Sequence, residues 1–483
     1  MSQQSNTPSP IGPGEVEKSH LYDGQGTEEN PFVVEFQKDD PSNPMNWSQL
    51  RKWFITAIVT MSVFIVTLTS SAYSSSAQER IPEFNISRTV FILGVSLFVL
   101  GFAIGPAVWG PLSELYGKKP QWIVSHVAMV AFIGGSAGSK NIETLLVLRL
   151  LGGIFGASPL VNSGGAIADL FPPAQRGLAM TLYCVAPFLG PMLGPVVSGF
   201  VSDSIGWRWV EGVCCIAIGV TGILGVIFVP ETYGPVLLAN KAKDLSQYEA
   251  RYVSVLEKNQ GKKKPSEIFQ KALIRPWILL FREPIVLVAS LYMAVIFGTV
   301  YMFMGAMPIV FNQGRGWSKG IGRLSFMGIA AGIIVGLAYV IYDNNNRYMK
   351  LSLAKATAAE SRLPPAIIGA IALPVGIIHW AVCIVLSSPF GFGCVLVILP
   401  VINYLIDSYT IYAASMYNHL GIHWATSIPA FLTLACMPFP FIMYRYGEAV
   451  RMKCKYAAEA AEMMRQMHKQ QDSAPVPPRL PHM

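Results

Sequence analysis

Charge is what this sequence has least of. Only 13% of its 483 residues are Asp, Glu, Lys or Arg, about half the share of a soluble protein, and that excludes an ordinary water-soluble globule. Catalytic groupings are missing as well: no H-E-x-x-H, no G-x-S-x-G and no P-loop G-x-x-x-x-G-K-[ST] occurs. The first two absences remove the usual residues of zinc peptidases and serine hydrolases. The third removes a nucleotide cradle, so ATP-driven transport by this chain is not expected and an ion gradient becomes the natural energy source. Cysteine is sparse. Of seven, Cys184, Cys214, Cys215, Cys383, Cys394 and Cys436 lie in apolar blocks and Cys454 in a basic tail, which makes no disulfide framework. No cleavable signal precedes the first apolar block. Residues 1–50 are polar and rich in Pro, Ser and Gly, a disordered cytoplasmic tail by composition, so the first block is expected to serve as its own uncleaved signal.

What is present is apolar sequence in blocks. Hydrophobic residues make up 52% of the chain and gather in runs such as Trp53–Ser70, Thr89–Val108 and Leu145–Ala168. Runs of about 18 to 25 residues match a helix crossing the hydrocarbon core, and they lack the alternation of a membrane β-barrel. The sequence therefore predicts an all-α polytopic membrane protein. Six spans are expected at 53–72, 89–109, 121–138, 144–167, 178–201 and 209–229, forming an N-terminal six-helix bundle over 51–230.

The net charge of +8 is placed at one membrane face rather than spread as a nucleic-acid site. Residues 231–283 hold Lys241, Lys243, Arg251, Lys258, Lys262, Lys263, Lys264, Lys271, Arg275 and Arg282, and the positive-inside rule makes this linker cytoplasmic. Arg51, Lys52, Lys118 and Lys119 fit the same sidedness. The link from Tyr73 to Arg88 then faces outward and carries a glycosylation sequon at Asn85-Ile86-Ser87.

After the linker come spans at 284–306 and 322–342, and a C-terminal bundle over 284–446 is expected, followed by a cytoplasmic tail over 447–483. This bundle runs short. Four spans between Leu363 and Tyr446 would leave about 21 residues each and no loops, so three spans fit better, near 363–386, 389–412 and 424–446. The total is about 11 spans rather than 12, with three spans placing the basic tail on the wrong side.

The stretch "GPLSELYGKKP" (110–120) sits in a cytoplasmic link. Gly110-Pro111 is expected to end span 2 in a tight turn, with Gly117 permitting a second bend. It resembles the loop motif G-x-L-x-D-x-x-G-[RK]-[RK] of the major facilitator superfamily, with Glu114 in place of Asp. That resemblance implies a conformational latch made by Gly110, Glu114, Gly117, Lys118 and Lys119, joined by Asp169 and Arg176 of "GGAIADLFPPAQRG". Arg149 in "LRLLGGIFGA" has two readings: snorkelling to the nearby interface, or the proton-coupling arginine that the resemblance implies. "APFLGPMLGPVVSGF" (186–200), with Pro187, Gly190, Pro191, Gly194, Pro195 and Gly199, resembles the span-5 antiporter motif, and its small residues suit close helix approach.

With "DPSNPMNW", "SSAYSSSA", "GWRW" and "PETY" in order, the chain resembles the fungal twelve-spanner drug:proton antiporters after residue 38. The resemblance implies a major facilitator fold of two six-helix bundles, the second incomplete here with losses near 377 and 415. It further implies a monomeric, cofactor-free, proton-coupled exporter of drugs, toxins, polyamines or secondary metabolites, in the plasma membrane or alternatively the vacuolar one. Asp407, in the family's N-Y-L-x-D-S-Y signature, is structural or protonatable. Mid-span polar and aromatic residues are cavity candidates: Tyr73, Asn162, Tyr183, Tyr292, Tyr301, Asn403 and Tyr404. His126 and His379 read as lone core histidines, and no metal-ligand cluster stands out. Two other classes remain: a non-transporting shortened product, and a membrane enzyme, for which no His, Asp or Ser cluster is seen.

Overall fold

A computed structural model describes residues 22–372, apart from 38, 247–250, 261–264, 283, 308–310, 312–318, 349 and 351–363, together with Pro438 and Arg445. Asn403, Tyr404, Asp407 and His379 lie outside these residues, as do the whole of the expected span 389–412 and most of the spans 363–386 and 424–446.

In chain order the elements are strand β1 (Phe32–Val34), helices α1 (Gln49–Ala72), α2 (Ala77–Glu83), α3 (Arg88–Tyr116), α4 (Lys118–Ala137), α5 (Ile142–Leu170), α6 (Pro173–Ile205), α7 (Trp207–Phe228) and α8 (Gly234–Leu245), strand β2 (Tyr252–Ser254), and helices α9 (Val255–Gln260), α10 (Pro265–Arg282), α11 (Pro284–Met307), α12 (Lys319–Leu324) and α13 (Phe326–Asp343). Among the described residues, six helical segments are long and apolar enough to cross a membrane. The expected spans fall on α1, α3, α4, α5, α6, α7, α11 and α13, of which α4 and α11 are not among the six. Within the first bundle α3 packs along α5, α1 along α6, and α4 against both α5 and α7. The outward side of α7 shows Val213, Ile216, Val220, Ile223 and Ile227. That three-and-four spacing is one apolar stripe, as a helix bordering lipid requires.

Two expectations change, at the end of span 2 and in the N-terminal segment. Helix α3 does not end at Gly110-Pro111 but runs on through Tyr116, with Pro106 and Pro111 inside it, and the turn comes at Gly117 with φ 87°. The apolar run stops at residue 110, but Leu112, Ser113, Glu114 and Leu115 continue a helix readily. The link from Tyr73 to Arg88 is largely helical. The hydroxyls of Ser74, Ser75 and Ser76 donate to the carbonyls of Ser71, Ala72 and Tyr73, tightening the chain into a 3-10 turn before α2.

Finally, residues 22–50 are not a plain tail. β1 pairs in parallel with β2 of the linker, in register Phe32 to Tyr252, Val33 to Val253 and Val34 to Ser254. Val34 is fully buried, and Phe32 and Tyr22 contact the Tyr252 ring. Asp40 fastens the clasp: its carboxylate accepts from Ser42 and from Lys241 Nζ at 2.7 Å. Burial opposes the Asp40 charge, but the Lys241 and Ser42 hydrogen bonds outweigh it and hold the carboxyl below its ordinary value. Burial likewise opposes the Lys241 charge, and Asp40 outweighs it and raises the ammonium. Asp40's contribution is therefore complete above about pH 4 and lost as pH falls through the lower folded value, while Lys241's is complete below about pH 10 and lost as pH rises through the higher one. Asp40→Asn is expected to speed amide exchange at Val33 and Val253 by roughly two- to five-fold at neutral pH, measured by hydrogen exchange on the full chain.

Candidate functional site

Arg149 lies on α5 with no solvent exposure. Its guanidinium does not snorkel outward; it spans the bundle. Nε donates to the Gly94 carbonyl at 3.0 Å, Nη1 to Thr69 at 3.2 Å and Nη2 to Ser70 at 2.8 Å. The chain can offer the last two because α1 passes into its 3-10 turn there, leaving end-of-helix carbonyls with acceptor capacity. Arg149 also approaches Glu211 on α7 at 4.0 Å, and Glu211 accepts from Arg80 Nη2 of α2 at 2.7 Å. Both guanidiniums face the Tyr73 ring, at 4.1 Å for Arg80 and 4.9 Å for Arg149, and Phe91 stacks on Tyr73 at 4.7 Å. Two cations thus share one carboxylate in a buried place, where pairing is what makes charge tolerable.

The loop at Gly117 is the second feature. The Glu231 carboxylate, from the segment after α7, accepts the backbone N–H groups of Lys118 and Lys119 at 3.1 and 3.0 Å. It therefore sits on the positive N-terminus of α4. A Cβ on Gly117 would lie 2.3 Å from Glu231 Oε2, so the glycine supplies room as well as its positive φ. Lys118 Nζ reaches Asp169 Oδ2 at 2.5 Å. Arg176 does not join this pair; its guanidinium donates to the carbonyls of Ala168 and Phe171 and closes the C-terminus of α5. Glu114 forms no ion pair among the described residues, and a Cβ on Gly110 would meet nothing within 4 Å among them.

On α6 the span-5 glycines divide. Gly190 and Gly194 press on α1, where a Cβ would meet Thr67 Oγ1 at 2.1 Å and Ser71 Oγ at 1.9 Å, whereas one on Gly199 would meet Arg323 Cδ at 2.4 Å. Pro187, Pro191 and Pro195 all lie inside the helix.

Three cavity candidates converge: Tyr73, Tyr292 and Tyr301 belong to one buried cluster with Phe188, Phe311 and Phe326, drawn from both sides of the linker. Phe188 packs on Phe297 at 4.7 Å, and the hydroxyls of Ser70 and Tyr301 meet at 3.3 Å. Asn162 and Tyr183 lie elsewhere. Asn162 bonds to Gln121 and Ser158, tying α4 to α5, and the Tyr183 hydroxyl donates to the Leu160 carbonyl. His126 is a buried structural tie to Ser62 at 2.8 Å. Asn85 is exposed at the turn before α3, with φ 50°.

Sequence reading missed Arg80, Glu211 and Glu231. Glu211 carried the same signal as Arg149, an ionisable residue inside an apolar run, "WVEGVCC". Glu231 acts on backbone N–H groups, which no residue pattern advertises.

This arrangement has counterparts. The chain is 67% identical over 501 aligned positions to the major facilitator-type transporter sorT of Penicillium rubens, covering 96% of each chain. It is 48% identical to the major facilitator superfamily multidrug transporter mdrA of Aspergillus fumigatus, covering 94% of this chain and 81% of that one. The efflux pump MFS2 of Trichophyton rubrum is 49% identical over 93% of this chain and 81% of its own. Among solved structures, the proton:xylose symporter XylE aligns with a TM-score of 0.59 at 17% identity, covering 83% of this chain and 96% of that one, a likeness of fold. The Major Facilitator Superfamily model matches residues 53–426, so the chain belongs to that family of multi-pass membrane transporters.

Proposed function

We propose that the protein exports small organic compounds, of the drug, toxin or secondary-metabolite kind, across the plasma membrane in exchange for protons. The observation that carries this reading is Arg149, a guanidinium buried among three carbonyls and Glu211 behind the Tyr73 ring, which itself lines the aromatic cluster between the two sides of the linker. A charge so held feels any proton or substrate charge entering that cluster, because the medium screens it little. The names of sorT, mdrA and MFS2, a transporter, a multidrug transporter and an efflux pump, support export. Lys118, Asp169 and Glu231 act as the cytoplasmic latch, with Gly117 admitting the Glu231 carboxylate. Asp407 is the second-half candidate for the proton.

The test uses reconstituted vesicles loaded with acid, with cycloheximide as the first probe. The parent protein should accumulate probe only while the pH gradient lasts. Arg149→Lys keeps the charge but cannot reach three carbonyls at once; it is expected to lower gradient-driven uptake at least ten-fold while leaving probe-for-probe exchange within about two-fold. Equal loss of both would mean a damaged fold rather than lost coupling, and unaltered uptake would sink the role of Arg149.

One observation favours a second reading. The alignment with sorT spans 501 positions although the chain has 483 residues, so the relative holds residues that face gaps here. A shortened, non-transporting product accounts for those gaps and for the crowded second half. Sequencing the transcript across residues 365–425 decides between them: roughly thirty extra codons would restore twelve spans, and an unaltered transcript would favour the shortened product.

A further inference from the structure

Two stretches of the first bundle follow one pattern. "GPLSELYGKK" (110–119) and "GFVSDSIGWR" (199–208) share a glycine, a serine three residues on, an acid next to it, a glycine three further, and a base two beyond. Their backbones agree. Gly117 has φ 87° and ψ 176°, and Gly206 has φ 88° and ψ 163°. Each glycine N–H closes on the serine carbonyl four residues back, at 3.2 Å to Ser113 and 2.9 Å to Ser202. A helix starts at once after each, and each start holds a carboxylate: Glu231 on α4, and Glu79 on α7, where its Oε2 accepts from Trp207 N at 2.8 Å. Each loop also has a basic residue tied to the end of a neighbouring helix, Lys118 to Asp169 of α5 and Arg208 to Glu83 of α2, although the base in register with Arg208 is Lys119. Gly206 opens α7 and Glu231 follows its end, so the two loops lie about 33 Å apart at opposite faces. This is the relation expected of inverted repeats.

The acid of the second stretch has a partner from beyond the linker. Asp203 takes Arg323 of α12 in a two-pronged bond, Nη1 to Oδ2 at 2.6 Å and Nη2 to Oδ1 at 3.3 Å. Arg323 reaches it by lying against Gly199, the first glycine of that stretch. The last glycine of the antiporter-like run is therefore not a helix-packing residue like Gly190 and Gly194. It is the groove for an arginine of the other half. We propose that Asp203, Arg323 and Gly199 form an extracellular latch, the inverted counterpart of the Gly110–Lys119 loop, which holds the two halves together while the extracellular face is closed. The pair must break each time that face opens, so it biases the transport cycle at a point far from the cytoplasmic loop.

The test follows opening directly. Val196, one turn inside Gly199, is buried in the cluster between the halves, and Val196→Cys places a thiol there. Full-length protein is labelled with a membrane-impermeant maleimide in intact cells and in inside-out vesicles, with the parent chain giving the background of native thiols. Asp203→Asn and Arg323→Gln are each expected to speed labelling in cells roughly two- to five-fold, and the exchange D203R with R323D to bring it back toward the parent rate. Gly199→Ala is expected to speed labelling alone but to add nothing to Arg323→Gln. Parent-rate labelling in both single variants, acceleration confined to inside-out vesicles, or an additive effect of Gly199→Ala would each overturn the proposal. The readout needs neither substrate nor proton gradient, so its outcome is separate from that of the export reading.

Discussion

Glu211→Gln is expected to destabilise the protein by about 3–5 kcal/mol, the largest effect of any single charge change in the first bundle. Its carboxylate is the acid shared by Arg80 and Arg149, and the side chains of all three are at most 2% exposed. Glutamine keeps the shape and one hydrogen-bond acceptor, so the loss isolates charge. What remains is two guanidiniums facing one tyrosine ring, with Glu83 the more distant described carboxylate still acting on Arg80 and none acting on Arg149. Cation–π contacts with Tyr73, Trp207 and Phe98 at 4.1 to 4.9 Å contribute about 1–2 kcal/mol each when desolvated, too little to replace a counter-charge. The pairing also predicts a rescue. Arg80→Met added to Glu211→Gln removes one surplus cation, and Arg149 still has its three carbonyls, so the double variant should be more stable than Glu211→Gln alone. Thermal unfolding of the purified protein in detergent measures both. A single variant melting with the parent, or a double variant melting below the single, would show that the cluster is not held by charge.

That cluster also marks where sequence reading stops. Membrane spans were legible because a helix in lipid must be apolar over its whole length, and α1, α3, α5, α6 and α7 follow the expected blocks closely. Arg149 stood out by the same logic, since a cation amid leucines needs a reason. Glu211 broke the same rule five residues into its helix and was not singled out. Asn162 and Tyr183 are ambiguous by sequence alone. A polar residue in the middle of a span marks either a cavity or a tie between helices, and only the position of Gln121 and the Leu160 carbonyl decides which. Residue patterns cannot show that Glu231 binds backbone N–H groups or that Gly199 faces an arginine some 120 residues away in the chain. Such facts live in the packing. The β1–β2 clasp was hidden for a different reason: two three-residue strands bury too little to leave a pattern, and each is stable only against the other.

Gly194→Val is expected to separate α1 from α6 and to cost at least about 3 kcal/mol, the upper end for overpacking. In lipid there is little hydrophobic drive between helices, so the pair is held by close contact and hydrogen bonds, and small residues are what permit both. A Cβ on Gly194 would stand 1.9 Å from Ser71 Oγ and 2.8 Å from the Leu68 carbonyl; one on Gly190 would stand 2.1 Å from Thr67 Oγ1 and 2.8 Å from Leu68 N. Backbone on the facing helix cannot give way as a side chain can. The displacement would also break the bond from Thr67 Oγ1 to the Ala186 carbonyl at 3.2 Å, and it would move Tyr73 and Phe188, which belong to the first bundle's share of the central cluster. Stability and transport should therefore fall together. Ser71→Ala, which removes the nearest atom, should rescue Gly194→Ala only in part, because the Leu68 carbonyl stays. The same logic applied to Gly199 gives the opposite result, since there the obstacle is a side chain that Arg323→Gln can shorten. Detergent melting temperatures and vesicle uptake of the two double variants separate these cases. Full rescue of Gly194→Ala by Ser71→Ala would mean that α1 and α6 approach through side chains rather than backbone.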